Sequence, residues 1–181
     1  MELLAEIVRR KGMQTAGLTI FREAVRGIIL REAKLLMIHS ASNGDYKFPG
    51  GGIAENETHQ EALAREIREE CGAIMTEFGP TFGKVIEYDL PREPGYDVFT
   101  MTSYYYLCQV ETVFFEQRLD QYEIELGFQP VWIGVEEAIQ ENRKITGSNS
   151  NSKAGWIPRE SFILDQIQKR IVNSVSTSRP S

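Results

Sequence analysis

Cysteine is scarce in this chain: its 181 residues include two, Cys71 and Cys108. That is too few for the disulfide framework of a small secreted scaffold, so two free, buried thiols in a reducing cytosol are expected. Long apolar runs are missing too. No stretch of about 18 apolar residues occurs, so no membrane-spanning helix and no membrane partner are expected. The opening M-E-L-L-A-E-I-V-R-R-K mixes acids with bases where a signal peptide would carry an unbroken apolar segment. A cytoplasmic location is the expectation. Positive charge is not in surplus either. Twenty Lys+Arg stand against 26 Asp+Glu, a net charge of −6. Broad contact with nucleic acid needs a basic face, so nucleic acid is not an expected partner. An acidic chain that handles phosphates would need help from metal ions.

What is present is ordinary for a globular protein, with 41% apolar and 25% charged residues. At about 150 residues per domain, the length suggests one domain with extensions. Leu3, Leu4, Ile7 and Val8 fall at helical spacing, which predicts a short amphipathic helix over Glu2–Lys11 inside an N-terminal helical extension, residues 1–16. Strands are expected at Phe21–Leu30 and Lys34–His39, with R-E-A as the turn. S-A-S-N-G-D-Y-K-F-P-G-G-G then reads as a loop. The clearest helix covers Thr58–Cys71, with Thr58 and Glu61 as a capping box and Gly72 as its stop. Apolar segments follow at Thr81–Tyr88 and Val98–Val110, then an acidic stretch, Glu111–Glu125. A strand at Gln129–Gly134, a short helix at Val135–Glu141 and a last helix at Phe162–Val172 complete the pattern. The polar run 146–155 reads as a mobile loop and residues 174–181 as a disordered tail. The mixture, without a regular β-α-β rhythm, places the chain in the α+β class.

The chemistry concentrates on the middle helix. On a wheel of about 100° per residue, Glu66, Glu69 and Glu70 fall within an arc of about 100°. Leu63, Ala64, Ile67 and Cys71 form an apolar stripe beside them. Like charges three and four residues apart repel by a few tenths of a kcal/mol per pair. A divalent cation reverses the sign of that interaction. Oxygen-only ligands select Mg²⁺ or Mn²⁺ over zinc. Gly50-Gly51-Gly52 lets backbone come close to a ligand. Arg65 lies four residues from both Glu61 and Glu69 and can brace the acidic face.

From Gly51 the sequence reads G-x5-E-x7-R-E-I-x-E-E-x-G-A, through Glu57, Arg65, Glu66, Ile67, Glu69, Glu70, Gly72 and Ala73. This resembles the signature of the Nudix hydrolase family, and all seven of its fixed positions are matched. The aliphatic expected last is Ala73, with Ile74 next to it. Phe48-Pro49-Gly50-Gly51 is similar to the family as well, and Pro130–Ala138 extends a weaker likeness over roughly residues 22–145.

The resemblance implies a Nudix-type α/β/α sandwich around a mixed sheet, with the motif as loop-helix-loop in a domain over residues 17–173. It implies hydrolysis of a diphosphate bond in a nucleoside diphosphate-linked small molecule, with Mg²⁺ or Mn²⁺ as cofactor. Carried over by position, Glu66, Glu70 and Glu69 are metal ligands, Glu57 is an auxiliary ligand, and the Gly50 carbonyl completes the set. Arg65 orients the carboxylates. The general base is a motif glutamate such as Glu69 or Glu66, or a later one, and Glu123 or Glu125 is the expectation there.

Substrate contacts are expected from Gly51, from Arg22 and Arg26 on one face of the first strand, and from Tyr46 and Phe48 beside the glycine loop. Tyr104 and Tyr106, on one face of a strand, could share a base-stacking pocket. His59 reads as an exposed first-turn residue. The substrate class stays open among nucleotide sugars, ADP-ribose and (d)NTPs, because the proline marker of some ADP-ribose-cleaving relatives is not cleanly met by Pro91. A non-catalytic nucleotide sensor of the same fold is the alternative, weakened by retention of all four motif glutamates. The first and last helices suggest a homodimer.

Overall fold

The structure is a computed structural model that describes residues 1–111, 113–147 and 155–177. Residues 148–154 of the expected loop and residues 178–181 of the expected tail lie outside the described residues. The chain divides into two compact units, Met1–Ile29 with Pro49–Arg118 and Leu30–Phe48 with Leu119–Ser181. The class is α+β with a mixed sheet, as expected.

In the first unit, four strands form one sheet: β1 (Leu3–Val8), β2 (Thr19–Ile28), β6 (Met75–Asp89) and β7 (Val98–Val110), in the order β1-β6-β7-β2. β1 runs parallel to β6, β6 antiparallel to β7, and β7 parallel to β2. The helix α1 (His59–Cys71) packs on β2 and β6. Of its expected apolar stripe, Leu63, Ile67 and Cys71 are fully buried and Ala64 is half-buried; Ala62 is also fully buried, along with Val25 and Val85 of the sheet.

The expected N-terminal helix is instead the strand β1. A helix over Glu2–Lys11 is too short to be stable alone, since nucleation is costly. The edge of β6 offers a ladder, with Ala5 opposite Val85 through Val8 opposite Tyr88. Arg9 extends the pairing, donating from its N–H to the Tyr88 carbonyl (3.0 Å) and from Nη2 to buried Glu87 (2.9 Å). The suggested homodimer thereby loses the helix that supported its N-terminal half. β6 also begins six residues before the expected strand. Gly79 and Pro80 fall inside β6, where the ladder shifts register between Phe78 and Gly83.

The second unit holds an antiparallel sheet. β4 (Lys34–Ser40) pairs along its length with β8 (Phe128–Gly134), and on its other edge with β3 (Leu30–Arg31) and β5 (Tyr46–Lys47). Glu32 and Ala33 take left-handed conformations (φ 49° and 64°) to turn the β3–β4 hairpin. α2 (Gln121–Leu126), α3 (Val135–Gly147) and α4 (Ile157–Thr177) complete the unit. α3 and α4 pack on each other, and both contact β5. α3 runs six residues further than expected, and α4 carries helical backbone through residues 174–177 of the expected tail.

The C-terminal end of α1 is held by a segment that reads as an acidic loop. Phe115 donates from its N–H to the Gly72 carbonyl (2.7 Å), Arg118 to the Glu69 carbonyl (2.8 Å), and Gln117 Nε2 to the Glu70 carbonyl. These satisfy carbonyls that a helix end leaves without partners. Gly72 sits at φ 67°, and a Cβ there would overlap the Phe115 carbonyl. Gly72→Ala is therefore expected to destabilise the protein by about 2 kcal/mol or more, read by urea denaturation. A loss below a few tenths of a kcal/mol would contradict this packing.

Candidate active site

The site begins with a capped helix. Thr58 accepts from the Glu61 N–H (3.2 Å), and Glu61 accepts from the Thr58 N–H (2.9 Å), so the capping box forms as the sequence predicts. α1 then presents its acidic side towards the glycine loop. That loop runs alongside β2: Val25 donates to the Gly51 carbonyl (3.0 Å), Gly27 to the Pro49 carbonyl (2.9 Å), and Ile53 to the Glu23 carbonyl (3.2 Å). Residue 50 must be glycine for this to happen, and glycine at 51 leaves room for the Glu66 carboxylate. A Cβ at Gly50 (φ 135°) would overlap the Val25 carbonyl, and a Cβ at Gly51 would overlap the Glu66 carboxylate.

Two motif carboxylates thus reach the loop. Glu70, 1% exposed, accepts from the Gly50 N–H at 2.8 Å. Glu66 lies against Gly51. Arg65 ties the others together. Its Nε and Nη2 each bond one Glu57 oxygen at 2.8 Å. Its Nη1 reaches Glu66 at 2.7 Å and Glu69 at 3.2 Å, and Nη2 also donates to the Gly52 carbonyl at 3.0 Å. Hydrogen bonding to Arg65 holds the Glu57 carboxyl well below its usual range, down to about 2. The same bonds raise the Arg65 guanidinium above its own usual value.

Among the described residues, no three His, Cys, Asp or Glu side chains converge on one point as a finished metal site. The Arg65 nitrogens stand between Glu57, Glu66 and Glu69. The donor set still fits a hard cation: it is all oxygen, and two of its carboxylates lie against a loop open to backbone approach. Glu66 and Glu70, with Glu57, Glu69 and the Gly50 carbonyl, are the groups that would hold one.

The remaining expected residues divide. Tyr104 and Tyr106 do come together, with His59 between them. The His59 ring lies 4.5 Å from Tyr104 between centroids, and its Nδ1 is 2.6 Å from the Tyr106 hydroxyl. His59 is thus half-buried in an aromatic cluster rather than an exposed first-turn residue, because β7 places both tyrosines beneath the helix start. Tyr104 donates to Glu23, and burial, with that carboxylate, pushes its phenol up to about 12. An open groove of about 690 Å³ is lined by Phe21, Arg22, Glu23, Gly52, Ile53 and Thr102.

Arg22 is exposed, 3.8 Å from Glu93, whereas Arg26 is buried and donates to the Gly50 carbonyl. Phe48 cannot stack on a base as placed: its side chain is fully buried in the second unit, and its N–H donates to Glu160 (3.1 Å). Tyr46 packs its ring at 4.8 Å from His39, and Asn142 bonds its backbone from both sides. Glu123 is buried in the second unit, where its carboxylate accepts from the Asp120 N–H and the Tyr122 hydroxyl, both at 2.9 Å. Glu125 is exposed and accepts from Gln121 at 3.1 Å. Sequence reasoning missed Phe21 and Glu23 of the groove. Both sit in a strand whose edge is defined only once the glycine loop is laid beside it.

Residues 20–159 match the family model of the NUDIX domain, and the chain belongs to that family. An RNA pyrophosphohydrolase of Nitratiruptor sp. is 40% identical over 48 residues, 26% of this chain and 31% of that protein. An ADP-ribose pyrophosphatase of Methanocaldococcus jannaschii is 44% identical over 54 residues, 28% of this chain and 32% of that protein. The chain thus spans about a third of the length of the curated relatives it matches. A NUDIX hydrolase structure from Nitrosomonas europaea superposes with a TM-score of 0.52 at 18% identity, covering 78% of this chain and 88% of that one, a likeness of fold.

The Glu57–Arg65 pair sets a pH dependence. A carboxyl depressed to about 2 stabilises the folded state fully above its usual 4.5, and that stabilisation is lost as pH falls through 2. Arg65→Met should therefore cost most stability above about pH 4.5, and the gap to wild type should close towards pH 2. Urea denaturation across that range reads it, and a gap that stays constant would contradict the assignment.

Proposed function

We propose that the chain is a divalent-metal-dependent hydrolase that cleaves the diphosphate linkage of nucleoside diphosphate derivatives. The observation that carries this reading is the placement of Glu66 and Glu70 on the Gly50–Gly51 backbone. A diphosphate repels anionic nucleophiles. Bound Mg²⁺ or Mn²⁺ would offset that repulsion and acidify water at the site. The chain's own part is to bring oxygen donors together: Glu70 and Glu66 at the loop, Glu57 and Glu69 within reach of Arg65. Arg65 holds four carbonyl and carboxylate groups around one guanidinium, and it must give up part of that hold for a cation to bind.

A proton from the attacking water passes to a carboxylate. We assign that role to Glu69 or Glu66 of α1. The groove of Phe21, Arg22, Glu23 and Thr102 is where the nucleoside side of the substrate is recognised, with Gly52 joining it to the carboxylate loop. Substrate class stays at nucleotide sugars, ADP-ribose or (d)NTPs. The names of the two curated relatives differ in substrate, and each match covers less than a third of this chain. A cytoplasmic setting belongs to this reading, in keeping with Cys71 and Cys108, which are buried and not joined in a disulfide.

Glu70→Gln is the direct test. The amide oxygen can still accept from the Gly50 N–H, so the fold should persist with a near wild-type melting temperature. Hydrolysis of ADP-ribose, UDP-glucose, dNTPs and a 5′-triphosphate RNA in Mg²⁺ or Mn²⁺ should fall by about 10²-fold or more for whichever is the substrate. Full activity in the variant, or wild-type turnover undiminished by chelator, would contradict the reading.

A further inference from the structure

Arg26 sits in the interior portion of β2, 9% exposed, between buried Val25 and Ile28. A guanidinium carries five N–H donors and a permanent charge, and burial is tolerated when acceptors, above all anionic ones, surround it. Arg65 meets that requirement with three carboxylates and a carbonyl. Arg26 does not. Its hydrogen bond runs from Nη1 to the Gly50 carbonyl, and among the described residues its buried Nε has no acceptor. The same Gly50 peptide gives its N–H to Glu70. One glycine is therefore bracketed by a buried cation on its carbonyl and a buried carboxylate on its N–H.

The missing acceptor has a definite chemistry. A phosphoryl group offers paired oxygens that match the guanidinium fork. A phosphoryl dianion entering alone would meet Glu66 and Glu70 on the same loop. A divalent cation entering alone would meet the Arg26 guanidinium on the Gly50 carbonyl. Each ligand removes the obstacle to the other. We infer that Arg26 recognises the diphosphate and competes with the cation for the Gly50 carbonyl, so that metal and diphosphate bind together more tightly than either does alone. This rests on the metal-dependent reading of the carboxylate cluster.

The test measures Mn²⁺ binding by electron paramagnetic resonance, with and without α,β-methylene-ADP, whose bridging carbon resists hydrolysis. In the wild type the analogue should tighten Mn²⁺ binding by about tenfold or more. Arg26→Gln should bind Mn²⁺ alone at least as tightly as the wild type, while the coupling falls below about threefold. Arg26→Lys keeps the charge but not the fork, and is read by the same two criteria if the glutamine variant fails to fold by thermal melting. A folded variant that retains the full coupling, or binds Mn²⁺ alone more weakly, overturns the inference, as does a wild type without coupling. The two readings separate. Coupling that depends on Arg26 in a protein that hydrolyses no diphosphate would sink the proposed reaction alone. Metal-dependent hydrolysis with coupling untouched in Arg26→Gln would sink the role of Arg26 alone.

Discussion

No side chain fits at residue 50, and the site is built on that restriction. The glycine loop lies flat along β2, held by Val25, Gly27 and the Glu23 carbonyl. Because the loop lacks Cβ atoms at residues 50 and 51, α1 comes close enough for Glu66 and Glu70 to touch backbone. An alanine at either position would push the strand or the carboxylate away. The helix needs its own restraint at that distance, and receives it at both ends. Thr58 and Glu61 cap its start, while residues 115–118 bond the carbonyls at its finish.

Concentrating glutamates on one helix face is unfavourable in isolation. The structure offsets this locally with Arg65, which bonds Glu57 through both oxygens and also reaches Glu66 and Glu69. The arrangement exchanges stability for pre-set geometry: one guanidinium fixes several oxygens whose mutual repulsion would otherwise spread them. On the proposed metal-dependent reading, a cation held at this one place would let a net acidic chain take a diphosphate.

The helix was legible in the sequence down to its capping residues, since capping boxes, a glycine stop and a 3.6-residue period are local signals. Leu63, Ile67 and Cys71 face the core as the wheel implies, whereas Ala64 is half-buried and Ala62, which the wheel puts on the acidic side, is fully buried. What depended on distant partners was not legible. Leu3, Leu4, Ile7 and Val8 suit a helix as well as a strand, and the decision came from the edge of β6, some eighty residues away. Phe48 borders the glycine loop in sequence but is buried against other elements of its unit, so proximity along the chain misled. His59 joined Tyr104 and Tyr106 because β7 runs beneath the helix start. Arg26 looked like the twin of Arg22, four residues apart on one strand. Only the sheet reveals that one is exposed and the other is enclosed beside Gly50.

Binding of a divalent cation by the glutamates of α1 and the glycine loop is the central proposal. Anomalous diffraction from crystals grown with Mn²⁺ and a diphosphate analogue tests it most directly. A strong peak is expected within coordination distance of Glu66 and Glu70, bridged to the analogue. Saturating Mn²⁺ with no peak there, and the analogue bound elsewhere, would contradict it.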